Sequence, residues 1–295
     1  MPIAVSALGG TAIERSGITN VLDIAQRTPS VTMTQFNVGE PQTYIRGVGS
    51  QTDSPASEPS VLISQDEVPI GRGGASSVTF LDVDRVEVLR GPQGTLYGRN
   101  ASAGAISFYA RRPQDQFGGS IEGSYGRFDT KGVKGILNVP LADGITARGA
   151  MQWSSSDGHA HNIRTGEDLQ GGKRWAGRLQ LQGKFDRLTM LLSGDFAKDD
   201  LTGDSRFDVG GPYSNQAILA LINRLQAGYH NVWDSSGFSG TFQDRRNWGL
   251  TGRIDYEADF ATIPFARIFE LTLGGRLTHD RKSVFQQAIH NGPPG

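Results

Sequence analysis

Beyond Pro113 the sequence settles into alternation, and that alternation constrains the fold more than any other feature. Val133, Gly135, Leu137, Val139 and Leu141 oppose Lys134, Ile136 and Asn138, and Ile145, Ala147, Gly149, Met151 and Trp153 oppose Thr146, Arg148, Ala150 and Gln152. The same period returns with Leu179, Leu181, Gly183 and Phe185 against Arg178, Gln180, Gln182 and Lys184. It continues through Leu188, Met190, Leu192, Gly194 and Phe196, then Trp248 to Tyr256, then Leu271 to Leu277. Side chains of a strand point alternately to its two faces, so period two sustained this far predicts long strands with one greasy and one polar side.

Three further features decide which kind of sheet this is. Aromatics stand at strand ends: Tyr125, Phe128, Trp153, Phe185, Phe196, Trp248 and Tyr256. Connectors are of two kinds, tight at Ala142-Asp143-Gly144 and Phe185-Asp186-Arg187, long at residues 158–173 and 199–245. The polar faces carry Arg, Lys, Asp or Gln in nearly every strand. Short turns on one rim, long loops on the other and aromatic girdles predict an antiparallel transmembrane β-barrel. The competing fold is a soluble antiparallel sandwich, whose strands also alternate; the loop asymmetry favours the barrel.

Composition closes off other classes. The 295 residues contain 29 Lys and Arg against 30 Asp and Glu, a balance without the basic footprint of a nucleic-acid-binding protein. Cysteine is absent, which excludes disulfides, thiolate metal sites and cysteine catalysis. Crossing a bilayer as a helix takes ~18 or more apolar residues, and the longest apolar run, Ala217 to Ile222, falls far short. The opening MPIAVSALGG has neither a basic start nor a long apolar stretch, so it is not a signal peptide; an export signal is expected upstream.

The first 113 residues have a different texture. Residues 3–9 read as a strand, Thr19 can cap a helix through Arg27, and Pro29 ends it. Short strands follow at 30–36, 43–46, 61–64 and 68–70, about five in all, with polar loops at 50–60 and 71–74 and a helical turn at 76–82. The stretch DRVEVLRGPQGTLYGRNASAGAISF, Asp84 to Phe108, is strand, glycine-rich reversal, strand. Pro92 cannot donate to a ladder, and Gly91, Gly94, Gly98 and Gly104 allow tight reversals. At roughly 110 residues this mixed α/β module can hold its own core.

Six motifs in order carry a resemblance to a known family: VLDIAQRTPSV (Val21 to Val31), IRGV (Ile45 to Val48), VDRVEVLRG (Val83 to Gly91), PQGTLYG (Pro92 to Gly98), AGAI (Ala103 to Ile106) and Arg111-Arg112-Pro113. This region resembles the plug domain of the TonB-dependent outer-membrane receptors. The resemblance implies an α+β plug over 1–113 followed by an antiparallel transmembrane β-barrel from 114. It further implies a place in the bacterial outer membrane and import of a scarce solute, most often a ferric siderophore. TonB and outer-membrane lipid are the implied partners, and no cofactor, metal site, catalytic residue or nucleic acid is implied.

The resemblance also assigns residues. Arg46 and Arg90, each in an Arg-Gly step, match plug arginines that pair with wall carboxylates and lock the plug. The plug apices that touch ligand fall at Gln35 and Phe36, at Gln51, Thr52 and Asp53, and at Arg72. The alternative from another class is a soluble or surface-displayed β-rich binding or adhesion module. An enzyme has no nucleophile–base or paired-carboxylate constellation to stand on. His159 and His161, two apart in a polar loop, read as solvated rather than as metal ligands.

Residues 114–295 hold seven or eight strands, and a plug-filled lumen goes with about 22. The sequence is therefore expected to belong to a longer chain, with a TonB box before Pro2 and more strands after the last. Asn215 to Tyr229 reads as an amphipathic helix packed inside the long loop.

Overall fold

A computed structural model describes residues 4–16, 18, 21–37, 40–49, 59–70, 81–92, 94, 101–162, 166–203, 234–235, 242–257 and 268–283. The N-terminal body holds strands β1 (Ala4–Gly9) to β8 (Gly104–Ala110) and two short helices. Its main sheet has the order β1-β7-β8-β5-β6, with β5 (Val61–Gln65) and β8 parallel and the other pairs antiparallel. A small meander of β2 (Val31–Asn37), β3 (Glu40–Ile45) and β4 (Val48–Gly49) stands beside it.

The core of this body is conventional. Ile13 on α1 (Gly10–Arg15), Ile24 on α2 (Val21–Arg27) and Val31 and Ile45 from the meander close over Val61, Ile63, Val86, Val88, Ile106 and Phe108 of the sheet. β5 is buried along its whole length and β8 nearly so, the pattern of central strands covered on both faces. Two serines stand at paired positions of these strands, and the Ser64 hydroxyl donates to that of Ser107 at 3.0 Å, so neither is left unsatisfied. Gly104 has φ +153°, and a Cβ there would run into the Leu89 carbonyl and the Ile45 side chain; the AGAI motif needs its glycine for that approach.

The second body is one seven-stranded antiparallel sheet, ordered β18-β17-β15-β14-β11-β10-β9. Its members are β9 (Gly118–Gly126), β10 (Thr130–Ala142), β11 (Ile145–Ser156), β14 (Gly172–Phe185), β15 (Leu188–Thr202), β17 (Phe242–Glu257) and β18 (Ile268–Ser283). Each has the length, about 9–11 residues or more, that a tilted crossing strand needs. Burial here is inside out. Leu137, Leu179, Leu192, Trp248 and Leu277 are exposed, while Asn138, Arg178, Gln180, Ser193 and Asn247, on the opposite face, are buried. A soluble sandwich would bury the leucines.

The outward face also carries the girdles. Trp153 and Trp175 oppose each other on β11 and β14, as Phe196 and Trp248 do on β15 and β17, with ring centroids 6.0 and 5.9 Å apart. Trp248 and Tyr256 lie eight residues apart on β17; at ~3.3 Å per residue and ~40° tilt they are roughly 20 Å apart in height, close to the apolar band of a barrel. Phe196 lies over Gly177 of the adjoining strand, where a Cβ would strike its ring.

Several details differ from the sequence reading. Among the described residues the first body has eight strands; β4 was not anticipated, because a two-residue pairing leaves no periodic trace. Helix α1 and strand β9 were not anticipated. In β9 the glycines at 118, 119, 123 and 126 dilute the alternation to Ile121 and Tyr125. The expected helical turn at 76–82 lies mostly outside the described residues, and at its end Asp82 is left-handed, φ +53°, not helical. Residues 158–173 are not a plain loop. They contain β12 (Ala160–Asn162) and β13 (Asp168–Leu169), and β12 also pairs in parallel with β16 (Asp234–Ser235) from the next long connection. The β9–β10 connection is short although it lies on the long-loop rim. The helix expected at Asn215 to Tyr229 lies outside the described residues.

Candidate functional site: the plug against the polar wall

Among the described residues the two bodies meet on the inner, polar face of the sheet, at three places. The first is a corner of the plug, Leu81-Asp82, just before β7 (Val83–Arg90). Leu81 is buried against Ala150 and Ala176, with Ile136 and Ala197 packed around them, a shallow socket built from small inward residues of four adjoining strands. Asp82 is 2% exposed and accepts from Arg148 on β11 through both oxygens, Nε at 2.5 Å and Nη2 at 2.7 Å. Arg178, a diagonal neighbour on β14, donates from Nη1 to the Leu81 carbonyl at 3.0 Å. Two wall arginines thus grip consecutive residues of one corner. A fork-shaped bidentate pair is the strongest polar contact a buried carboxylate can have.

The second place is the β5–β6 hairpin, β6 being Val68–Ile70. Asp66 and Glu67 are both left-handed, φ +47° and +69°, the arrangement of a type I′ turn, made here without glycine. Asp66 fixes the turn, because its Oδ1 accepts from the Ala110 amide at 2.8 Å. Glu67 is thereby presented to the wall, where Arg253 Nη1 reaches both its oxygens at 3.1 Å and the Thr272 hydroxyl reaches one at 3.1 Å. Arg253 also pairs with Asp255 at 3.0 Å. Val68 lies over Gly274, where a Cβ would collide with it.

The third is the connection from plug to wall. Asn138, buried on β10, donates to the Gln114 and Gln116 carbonyls at 2.7 and 2.6 Å and accepts from the Gln114 amide at 2.9 Å. Arg112 approaches Asp255 at 3.7 Å, and Lys184 pairs with Asp115 at 3.0 Å. At the first two places the carboxylate comes from the plug and the guanidinium from the wall; Arg112 with Asp255 has the reverse polarity.

Of the residues singled out from the sequence, the four that the structure describes are at other places. Arg46 is exposed and left-handed, φ +53°, and with Gly47 forms the β3–β4 turn, its amide donating to the Ser30 carbonyl at 2.8 Å. Arg90 is half-buried at the end of β7 and donates from Nη2 to the Ser6 hydroxyl of β1; its buried Nε has no partner among the described residues. Gln35 pairs with Pro41 in the β2–β3 ladder and Phe36 sits at the register shift that follows. Gln51, Thr52, Asp53 and Arg72 lie outside the described residues. Asp82, Glu67, Arg148, Arg178 and Arg253 were not singled out. Their only trace was an arginine at an inward position in β11, β14 and β17, and a carboxylate in a plug turn.

Comparison with known proteins agrees with this architecture. Residues 1–105 match the model of the TonB-dependent receptor plug domain. The pesticin receptor of Yersinia pestis is 36% identical over 132 residues, covering 44% of this chain and 19% of the receptor. The iron-regulated outer membrane virulence protein of Vibrio cholerae is 24% identical over 255 residues, covering 82% of the chain and 39% of that protein. The crystal structure of the ferric yersiniabactin uptake receptor FyuA from Yersinia pestis superposes with a TM-score of 0.78 at 23% identity, over 95% of this chain and 41% of that one.

Residues 1–105 thus match a TonB-dependent receptor plug domain, and plug and inside-out wall together have the fold of the outer-membrane receptors to which the chain is similar. The chain spans less than half the length of the relatives it matches.

Proposed function

We propose that this chain forms the plug, residues 1–113, and the first wall strands, from residue 114, of a receptor that imports a scarce solute. The solute binds at the long-loop rim and passes inward when TonB pulls on the plug. Ferric siderophores are the solute class that the relatives support, through a ferric yersiniabactin uptake receptor and an iron-regulated outer-membrane protein. No covalent bond is made or broken, so the protein is a transporter and not an enzyme.

The observation that carries this reading is the Asp82–Arg148 pair: a folded plug held to a polar wall by a buried ion pair, firm at rest. A buried pair is costly to break on one side only, which suits a seal that must hold until force is applied. Arg46 and Arg90 act in the same sense, pairing with wall carboxylates, and the unpartnered Nε of Arg90 supports that role. The plug apices at Gln35, Phe36, Gln51, Thr52, Asp53 and Arg72 contact the solute.

The test uses the full-length receptor in a strain lacking its own siderophore receptors. Growth on one of a panel of defined ferric siderophores as sole iron source, lost when TonB is deleted, is the expected result. Binding of a ferric siderophore without TonB-dependent uptake would instead make the protein a surface binding module.

A further inference from the structure

The plug is fastened to the wall along a line. On the inner face Asn138, Arg148, Gln180, Ser193, Thr251 and Gly274 are successive register partners, a single row from β10 to β18. At ~4.8 Å between strands, the row is about 24 Å long. At one end Asn138 holds the backbone of Gln114 and Gln116, and beside it Arg148 holds Asp82. At the other end Gly274 lies under Val68. Arg178, Arg253 and Thr272, which also reach the plug, each stand two residues along a strand from the row.

On the plug, the same contacts come from one end of the central sheet. Val83 at the start of β7 pairs with Ala110 at the end of β8, and Gln65 at the end of β5 pairs with Phe108. The fastened residues Val68, Asp82 and Gln114 all adjoin this end. The opposite end carries Arg90, Gly104 and Val61, which are also register partners. Strand β1 runs antiparallel to β7 with Ala4 opposite Arg90, so the chain enters the plug at the end that is not fastened. The eight residues of β7 separate the two ends by about 25 Å, at ~3.3 Å per residue.

We propose that the row from Asn138 to Gly274 is a hinge line, about which the central plug sheet swings while remaining joined to the wall. Anchors spread along a line restrain every rotation except the one about that line. Tension entering at Ala4 acts through a lever the length of β7, so the far end is displaced most and the row least. Opening the row first would leave the Asp82 carboxylate buried and unpaired, the costlier order of events. The inference rests on the reading that TonB pulls on the plug. It also asks more of the Asp82–Arg148 pair than a seal at rest, namely that it stay closed under load.

The chain contains no cysteine, so introduced pairs can be read without background. Val68→Cys with Gly274→Cys sets a disulfide on the hinge line, where a Cβ on Gly274 would already touch Val68. Ala7→Cys with Glu87→Cys joins β1 to β7 at directly opposed positions. Each full-length receptor, reconstituted in bilayers, is pulled through its N-terminus in a single-molecule force measurement, oxidised and then reduced. The first opening step is expected to keep its force and its length on oxidation of either pair. Loss of that step when the Val68–Gly274 pair is oxidised means that the hairpin must leave the wall, and overturns the hinge. Its loss when the Ala7–Glu87 pair is oxidised means that β1 peels from β7 instead of carrying the sheet with it, and overturns the swing. Should the first pair prevent folding, Leu81→Cys with Ala150→Cys, packed together beside the row, takes its place under the same criterion. TonB-dependent uptake by the reduced receptors is read separately: its absence counts against import, while the force comparison still decides the hinge.

Discussion

The plug and the wall are built from opposite rules in one chain. In the plug, Ile24, Val86, Val88 and Ile106 are sealed inside; in the wall, Leu250, Leu273 and Leu277 face out while Asn138, Arg178 and Gln180 are hidden. The difference teaches what each body's solvent is. A core answers to water on all sides, whereas a sheet with lipid on one side and a folded plug on the other must put its polar residues inward. The boundary between the two regimes, the inner face of the wall, is where the ion pairs collect.

Variants that act on one body and spare the other sharpen that contrast, and the largest effect is expected at their boundary. Arg148→Ala leaves the Asp82 carboxylate buried and unpaired and is expected to cost about 3–5 kcal/mol of plug docking. Protease protection and hydrogen exchange of residues 81–90 in the full-length receptor should both report it. Arg148→Met combined with Asp82→Asn removes both charges and should recover most of the loss; no recovery would mean that the pair acts through something other than charge.

Next comes the plug core. Ile106→Ala opens a cavity and should cost the plug about 2–5 kcal/mol, lowering its denaturation midpoint while the strand signal of the wall survives. A simultaneous loss of both would show that the bodies do not fold as separate units.

The wall obeys the reverse arithmetic. Leu250→Arg sets a charge on the lipid face and is expected to cost about 2–4 kcal/mol of folding into bilayers. The adjoining Thr251→Arg points inward and should cost much less. Equal penalties at the two positions would break the assignment of faces.

The smallest effect belongs to Glu67→Gln. Glu67 is partly exposed, so removing its charge from Arg253 should cost at most about 1 kcal/mol. Urea titration of the full-length receptor, with its plug signal isolated by a reporter on the β5–β6 hairpin, would measure it.

The strand alternation was legible because a lipid-facing strand must alternate whatever its partner. That is why β10, β11, β14, β15, β17 and β18 could be placed, and why glycine-diluted β9 could not. The plug motifs were legible because turns such as Arg46-Gly47 and the Gly104 approach admit few residues. The plug-to-wall contacts were not. Asp82 and Arg148 are 66 positions apart, and nothing local to either distinguishes a buried ligand from a solvated charge.

By itself the sequence determined which side of each strand is greasy and where the chain turns, since those follow from side-chain period and backbone sterics. Only the tertiary structure decided which polar residues meet. An ion pair across the lumen depends on how far one body is pushed into the other, and that distance is set by packing, at Leu81 in its alanine socket and Val68 on Gly274, which no periodicity records.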